Sequence, residues 1–133
     1  MVLFQVNAVY DRQTGEDIPG KVKEIYLVEA PDCADAQQQV IENIKPFIFG
    51  ECDIPQVRKR NFFDILHGDG ENWYEAKVEM ITIDGDKETR KAVTILVQEN
   101  TISQALQSLK LNLGKYDCEI VSIKKSAVLD IIE

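Results

Sequence analysis

The sequence predicts an α+β protein made of two tandem copies of a β-β-α-β unit. Each copy contributes one helix to a mainly antiparallel sheet, and the two copies are expected to be related by a pseudo-twofold axis. Three observations predict this. Residues 51–66 recur without a gap as residues 117–132, with Cys52 on Cys118, Ile54 on Ile120, Asp64 on Asp130 and Ile65 on Ile131. Two runs alternate apolar and polar residues, Phe4-Val6-Ala8-Tyr10 and Tyr74-Ala76-Val78-Met80, which is the period of a half-buried strand. Two later stripes, Ala36-Val40-Ile44 and Ala105-Leu109-Leu113, repeat at helical spacing.

The first repeat, residues 3–66, opens on the strand carrying Phe4, Val6 and Ala8 on its inward face. A polar loop over residues 11–20 follows, with Gly15, Pro19 and Gly20 as breakers. Residues 21–29 form a second strand rich in β-prone side chains, Val22, Ile25, Tyr26, Leu27 and Val28. Strands adjacent in sequence usually pair, so antiparallel pairing is expected despite the long connection. Asp32 is placed to cap a helix, because its carboxylate can accept the free N–H groups of the first turn. The apolar stripe runs from Ala36 to Phe47 or Ile48, and Pro46 distorts or ends the last turn. Gly50 is expected to close that segment. A third strand spans residues 52–60, and residues 62–66 form a short fourth.

Residues 67–72 read as a linker rich in Gly and acid. The second repeat, residues 73–132, then follows the first in order. The Asp84-Gly85-Asp86 turn makes a tight hairpin, and Ile95-Leu96-Val97 overlays Tyr26-Leu27-Val28. Thr101-Ile-Ser-Gln104 is a capping box over the second helix, which Gly114 ends. The spacing between matched residues shortens twice along the chain. Each change falls in an inferred loop, where insertions are tolerated.

Length and composition fit one domain, residues 1–133. With 133 residues, 44% of them hydrophobic and 29% charged, the chain is an ordinary globular one. A single repeat would bury too little surface to be comfortable alone, so a shared core is expected. No apolar run is long enough to span a bilayer, and residues 1–6 lack the basic and long apolar regions of a secretory signal. The expected location is the cytoplasm, with no membrane partner. Cys33, Cys52 and Cys118 have the spacing of neither a zinc site nor a redox pair, and in a reducing compartment they read as small buried hydrophobes. A disulfide between Cys52 and Cys118 is conceivable but not required.

The short segments Trp73-Tyr-Glu-Ala-Lys-Val78, Tyr26-Leu-Val-Glu-Ala30, Val57-Arg-Lys-Arg60 and Ala127-Val-Leu-Asp130 give the chain a family look. In their order and spacing the chain resembles the uncharacterised bacterial and phage family catalogued as domain of unknown function 4494. The resemblance covers nearly the whole chain and implies a cytoplasmic protein of gut-type bacteria, their phages or mobile elements. Leu3-Phe4 departs from an aromatic pair beginning with Trp in many members, which bears only on local packing. The family supplies no catalytic residue to transfer.

The residues themselves point away from enzymatic chemistry, and no catalytic residue, metal site or cofactor is assigned. His67, the one histidine, lies beside Asp69 and Glu71 in the linker, which is not a usual ligand set. Asp84-Gly-Asp86 lacks the spacing of a calcium loop. There is no Gly-rich phosphate loop. Asp64 and Asp130 would serve a hydrolase only if they met, and solvated strand positions are the plainer reading.

The expected function is a small non-enzymatic binding or adaptor protein with a protein partner, working as a homodimer if an exposed sheet edge pairs with its copy. The alternative is single-stranded nucleic-acid binding. Arg58, Lys59 and Arg60 in one repeat and Lys124 and Lys125 in the other occupy equivalent strand ends. Phe62, Phe63, Tyr26 and Trp73 would then offer stacking faces. The net charge of −8 disfavours binding to a phosphate backbone.

Overall fold

The structure is a computed structural model that describes residues 2–12 and 20–132. It is a mixed α+β arrangement of two helices and two four-stranded, mainly antiparallel sheets. The chain divides into two compact units, residues 1–61 with 127–133 and residues 62–126.

In the first unit the sheet is built from β1 (Leu3–Arg12), β2 (Gly20–Glu29), β3 (Ile48–Arg60) and β8 (Val128–Ile132), in the order β3-β1-β2-β8. Helix α1 (Cys33–Ile44) lies on one face. Alternation along β1 sends Phe4, Val6, Ala8 and Tyr10 into the core, where they meet Ala36, Val40 and Ile44 of the helix. Fully burying a side chain the size of Val40 is worth about 1.5–3 kcal/mol. Asp32 caps α1, its Oδ1 accepting the Asp35 amide at 2.8 Å. Pro46 falls in a 3-10 turn, Lys45–Phe47, that finishes the helix. Phe47 remains 46% exposed, and Ile48 takes the place at the edge of the core.

Gly50 does not close the helix segment. It lies inside β3 with φ +89°, where β3 carries extra residues between its pairings of Phe49 with Asp11 and Cys52 with Tyr10. A bulge needs this backbone, and glycine adopts it without a Cβ penalty. A second irregularity in β3, between the pairings of Asp53 and Gln56, contains Pro55, whose missing N–H is tolerated there. The expected loop over residues 11–20 falls largely on residues 13–19, outside the described residues.

In the second unit, β4 (Asp64–Leu66), β5 (Asn72–Asp84), β6 (Lys87–Glu99) and β7 (Cys118–Lys125) are ordered β4-β6-β5-β7, with α2 (Ile102–Leu113) on one face. Tyr74, Ala76, Val78, Ile95 and Val97 pack against Ala105, Leu109 and Leu113. Thr101 Oγ1 accepts the Gln104 amide at 3.2 Å, capping α2. The β5–β6 hairpin is longer than the apolar alternation suggests. Its pairing runs unbroken to Asp84 opposite Lys87, with Gly85 at φ +63° in the turn. Beyond Met80 the ladder continues by hydrogen bonding and β-propensity, although Ile83 is 65% exposed.

The two short strands do not stay with the strands that precede them in sequence. β4 follows β3 but pairs in parallel with β6, Asp64 opposite Ile95 and Leu66 opposite Val97. β8 follows β7 but pairs in parallel with β2, Asp130 opposite Tyr26 and Ile132 opposite Val28. Among the described residues no helix is long and apolar enough to cross a membrane.

Residues 67–72 are not a loose tether. Gly70 is buried, and both Gly68 and Gly70 lie against the backbone at the end of β6. The Glu71 amide donates to Asn100 Oδ1 at 3.0 Å, and Asn72 Nδ2 donates to the Asn100 carbonyl at 3.0 Å.

Candidate functional site

The pleat sends alternate side chains of each strand to opposite faces, so the face away from the helix is polar at several central positions. In the first unit Gln5 and Asn7 of β1 point there, and the register sets Arg58 opposite Gln5, Gln56 opposite Asn7 and Arg60 opposite Leu3. Gln5 is only 8% exposed. Its carbonyl oxygen accepts from Arg60 Nη1 at 2.6 Å and from Arg58 Nη2 at 3.4 Å. Its amide donates to Asn7 Oδ1 at 3.3 Å, and Asn7 Nδ2 donates to Gln56 Oε1 at 3.3 Å. Two guanidinium groups are thus tethered through one nearly buried amide.

The basic triplet is divided by this geometry. Arg58 and Arg60 share the face of Gln5, whereas Lys59 sits opposite Phe4 on the face of the helix. In the second unit the same division separates Lys124, opposite Glu75, from Lys125, opposite Tyr74. Lys124 borders an open depression of about 270 Å³ lined by Glu75, Ala76, Lys77, Thr94, Ser122 and itself. Lys77 stands at its centre, with Thr94 directly across on β6 and Ser122 directly across on β7.

Of the aromatic residues considered for stacking, Tyr26 and Trp73 are 5% and 2% exposed and present no free face. The Tyr26 hydroxyl donates to Glu24 Oε1 at 3.1 Å, and Tyr10 also donates to that oxygen. Phe63 is exposed, and it meets a partner that sequence reading did not single out. Its ring stands edge-to-face with Tyr116, centroids 5.8 Å apart, and Lys115 Nζ lies 5.3 Å from the Tyr116 centroid.

His67 is exposed, and its ring meets that of Trp73 edge-on at 5.7 Å. Asp64 and Asp130 are exposed strand residues in separate units. Each accepts the amide of the next residue at 2.8 Å, Ile65 and Ile131 respectively. The three cysteines are free, and they are not all the buried hydrophobes expected: Cys33, in the first turn of α1, is exposed, and Cys52 and Cys118 are half-buried. Cys52 has its thiol pushed up from the ordinary value, first by partial burial and then by the Asp53 carboxylate beside it. Arg90 bridges β5, β6 and β7 by contacting Glu119 at 2.7 Å, Glu79 at 3.2 Å and Glu88 at 3.7 Å. Those bonds, Glu119 first, raise its already high pKa.

A family model described as a domain of unknown function matches residues 2–133. The chain belongs to DUF4494. The DUF4494 match covers residues of both units. A search of curated proteins finds no match to the chain. DUF4494 covers residues 2–133 without handing any of the polar residues above a role.

Nothing in the sequence groups Gln5, Asn7, Lys77, Thr94 and Ser122 as site residues, because each is an ordinary polar residue in a strand run. One signal was present. Ser122 lies two residues before Lys124 and so shares its face, and Gln5 and Asn7 alternate on the strand that pairs with the one carrying Arg58.

Proposed function

We propose that this protein is a small, non-enzymatic binding or adaptor protein of the cytoplasm that acts through protein contacts. The observation that carries this reading is the solvent-facing pair of Phe63 and Tyr116. Both rings touch each other yet stay 44% and 41% exposed, with a lysine beside them. Large aromatic side chains are enriched at interfaces, because they bury much area at low conformational cost and carry a disproportionate share of binding energy. A photo-crosslinking residue placed at Tyr116, with a second at Glu88 on the hairpin as control, tests it in the producing cell. A discrete protein adduct from position 116 and none from position 88 supports the surface. The same adducts from both positions, or none from either, rejects it.

Homodimerisation through a sheet edge belongs to this reading, and two of the edges bear on it. β3 and β7 carry bulges, Pro55, Arg58, Lys59, Lys124 and Lys125, all of which discourage edge-to-edge pairing. Sedimentation across a wide concentration range measures it directly.

The same proposal includes a tandem duplication of a β-β-α-β unit, with residues 3–66 and 73–132 as its copies. Supporting it, the strand that receives β4 and the strand that receives β8 do so through the residues already matched by sequence, Ile95-Leu96-Val97 and Tyr26-Leu27-Val28. The capping acceptors Asp32 and Thr101, and the local bonds of Asp64 and Asp130, also correspond. An experimental structure in which the two units fail to superpose strand for strand overturns it.

The second reading is single-stranded nucleic-acid binding through Arg58, Lys59, Arg60, Lys124 and Lys125. In its favour, both units carry a cation at the same sheet position, Arg58 opposite Gln5 and Lys124 opposite Glu75. Against it stand the division of each basic run between two faces and the net charge of −8. Anisotropy of a labelled oligonucleotide at low salt decides. Binding that survives replacement of Arg58, Lys59, Lys124 and Lys125 by Glu removes these residues from the reading.

A further inference from the structure

The depression beside Lys124 holds four donors arranged around one point. Lys77 is central on β5. Thr94 and Ser122 are its direct neighbours on β6 and β7, and directly paired side chains stand about 4.5–5.5 Å apart at Cβ. Lys124 is the diagonal neighbour, two residues along β7 from Ser122, and diagonal pairs lie roughly 7–8 Å apart. Long lysine side chains span that distance readily.

None of these four side chains has a hydrogen bond or ion pair among the described residues. This is unusual for two lysines in a chain with eight more acids than bases. Elsewhere in the same sheet, Arg90 gathers three carboxylates around itself. Glu75 also lines the depression and is the one anionic group there, so the lining carries a net charge of one positive unit. The space, about 270 Å³, is below the usual size of a cofactor pocket but ample for one small anionic group.

We propose that this depression binds a phosphate group, carried by a small phosphorylated molecule. Two ammonium groups and two hydroxyls can donate to several oxygens of a tetrahedral anion at once. A carboxylate presents two oxygens in one plane and a single charge, whereas a phosphate group spreads more oxygens in a tetrahedral array and carries more charge. Lysine serves phosphate as a mobile point charge, and hydrogen bonds to charged groups are about twice as strong as neutral ones. Glu75 sets a limit on the site, because it repels any anion that approaches from its side and favours entry over Lys77 and Ser122. This inference stands apart from the Phe63–Tyr116 surface, whose substitution leaves all four donors in place.

The test is titration of the full chain with inorganic phosphate, followed by amide NMR in a low-salt, phosphate-free buffer. Acetate at matched ionic strength forms the second arm. Saturable shifts confined to the strand segments around Lys77, Thr94 and Ser122–Lys124, with acetate much weaker, are expected. Lys77→Ala and Lys124→Ala should each weaken binding about tenfold, the size of one charge-assisted hydrogen bond. Lys77→Arg should retain most of it, which controls for damage to the fold. Shifts spread equally over Lys110, Lys115 and other surface lysines would overturn the proposal, as would acetate binding as tightly as phosphate or no effect of either alanine variant.

Discussion

Replacing Gly70 with alanine places a Cβ where backbone already is. Built on the observed chain, that atom would lie 2.1 Å from the Glu99 carbonyl carbon, 2.4 Å from the Asn100 nitrogen and 2.4 Å from the Glu99 Cα. Ordinary contact begins more than an ångström further out, and no flexible side chain stands there to give way. Gly70 does not have a left-handed φ, so close approach and not backbone conformation explains the glycine. The segment must lift off the end of β6. Overpacking costs about 1–3 kcal/mol. Lifting also strains the bonds from the Glu71 amide and Asn72 Nδ2 to Asn100, and that from the Tyr74 hydroxyl to the Asn100 carbonyl, each worth about 1 kcal/mol. A total loss of roughly 3 kcal/mol lowers Tm by about 10 °C for a chain of this size. The assay is thermal unfolding followed by circular dichroism, beside Gly114→Ala. There the added Cβ meets its nearest atoms at 3.6 Å and the backbone is already helical, so little change is expected. A Gly70→Ala protein melting within about 2 °C of the parent refutes the reasoning, because an overpacked backbone contact cannot cost so little.

Four further outcomes are expected. Leu109→Ala removes a fully buried side chain from the core under α2 and should cost about 2–5 kcal/mol in urea unfolding, whereas Leu111→Ala, 80% exposed on the same helix, should cost little. Arg90→Ala leaves Glu79, Glu88 and Glu119 close together without their cation, so Tm should fall at low salt and the gap to the parent should narrow in molar salt. Cys52 holds a raised thiol pKa, so iodoacetamide near neutral pH should label exposed Cys33 well before Cys52. The stability that goes with that shift is present below the unfolded thiol pKa. It is lost as pH rises towards the folded one, so a Cys52→Ser variant should show a flatter decline of stability in the alkaline range.

Much of the fold was legible because its signals are local. Alternation at Phe4-Val6-Ala8 and at Tyr74-Ala76-Val78 names the strands and their buried faces, and each of those residues is buried. Helical spacing names the stripes Ala36-Val40-Ile44 and Ala105-Leu109-Leu113, and all six are buried. Asp32 and Thr101 announce the helix starts because a cap acts within one turn. Gly50 misleads for a related reason. A glycine after an apolar stripe looks like a helix end, and only the pairing of β3 with β1 reveals the bulge that needs it. Gly68 and Gly70 looked like slack, although the backbone of β6 that requires them is about thirty residues away in sequence.

The polar groups were harder to group than to find. Arg58, Lys59 and Arg60 are contiguous, yet the pleat divides them. Lys77, Thr94 and Ser122 are far apart in the chain, yet the register lines them up in one row. Side-chain periodicity is a property of a few neighbouring residues, so strands, helices, their caps and their buried faces could be read directly from residue order. Which strand lies beside which is a property of contacts distant in sequence. The parallel placement of β4 against β6 and β8 against β2, the anchoring of both Arg58 and Arg60 on Gln5, and the row of donors around Lys77 therefore emerged only once the chain was folded.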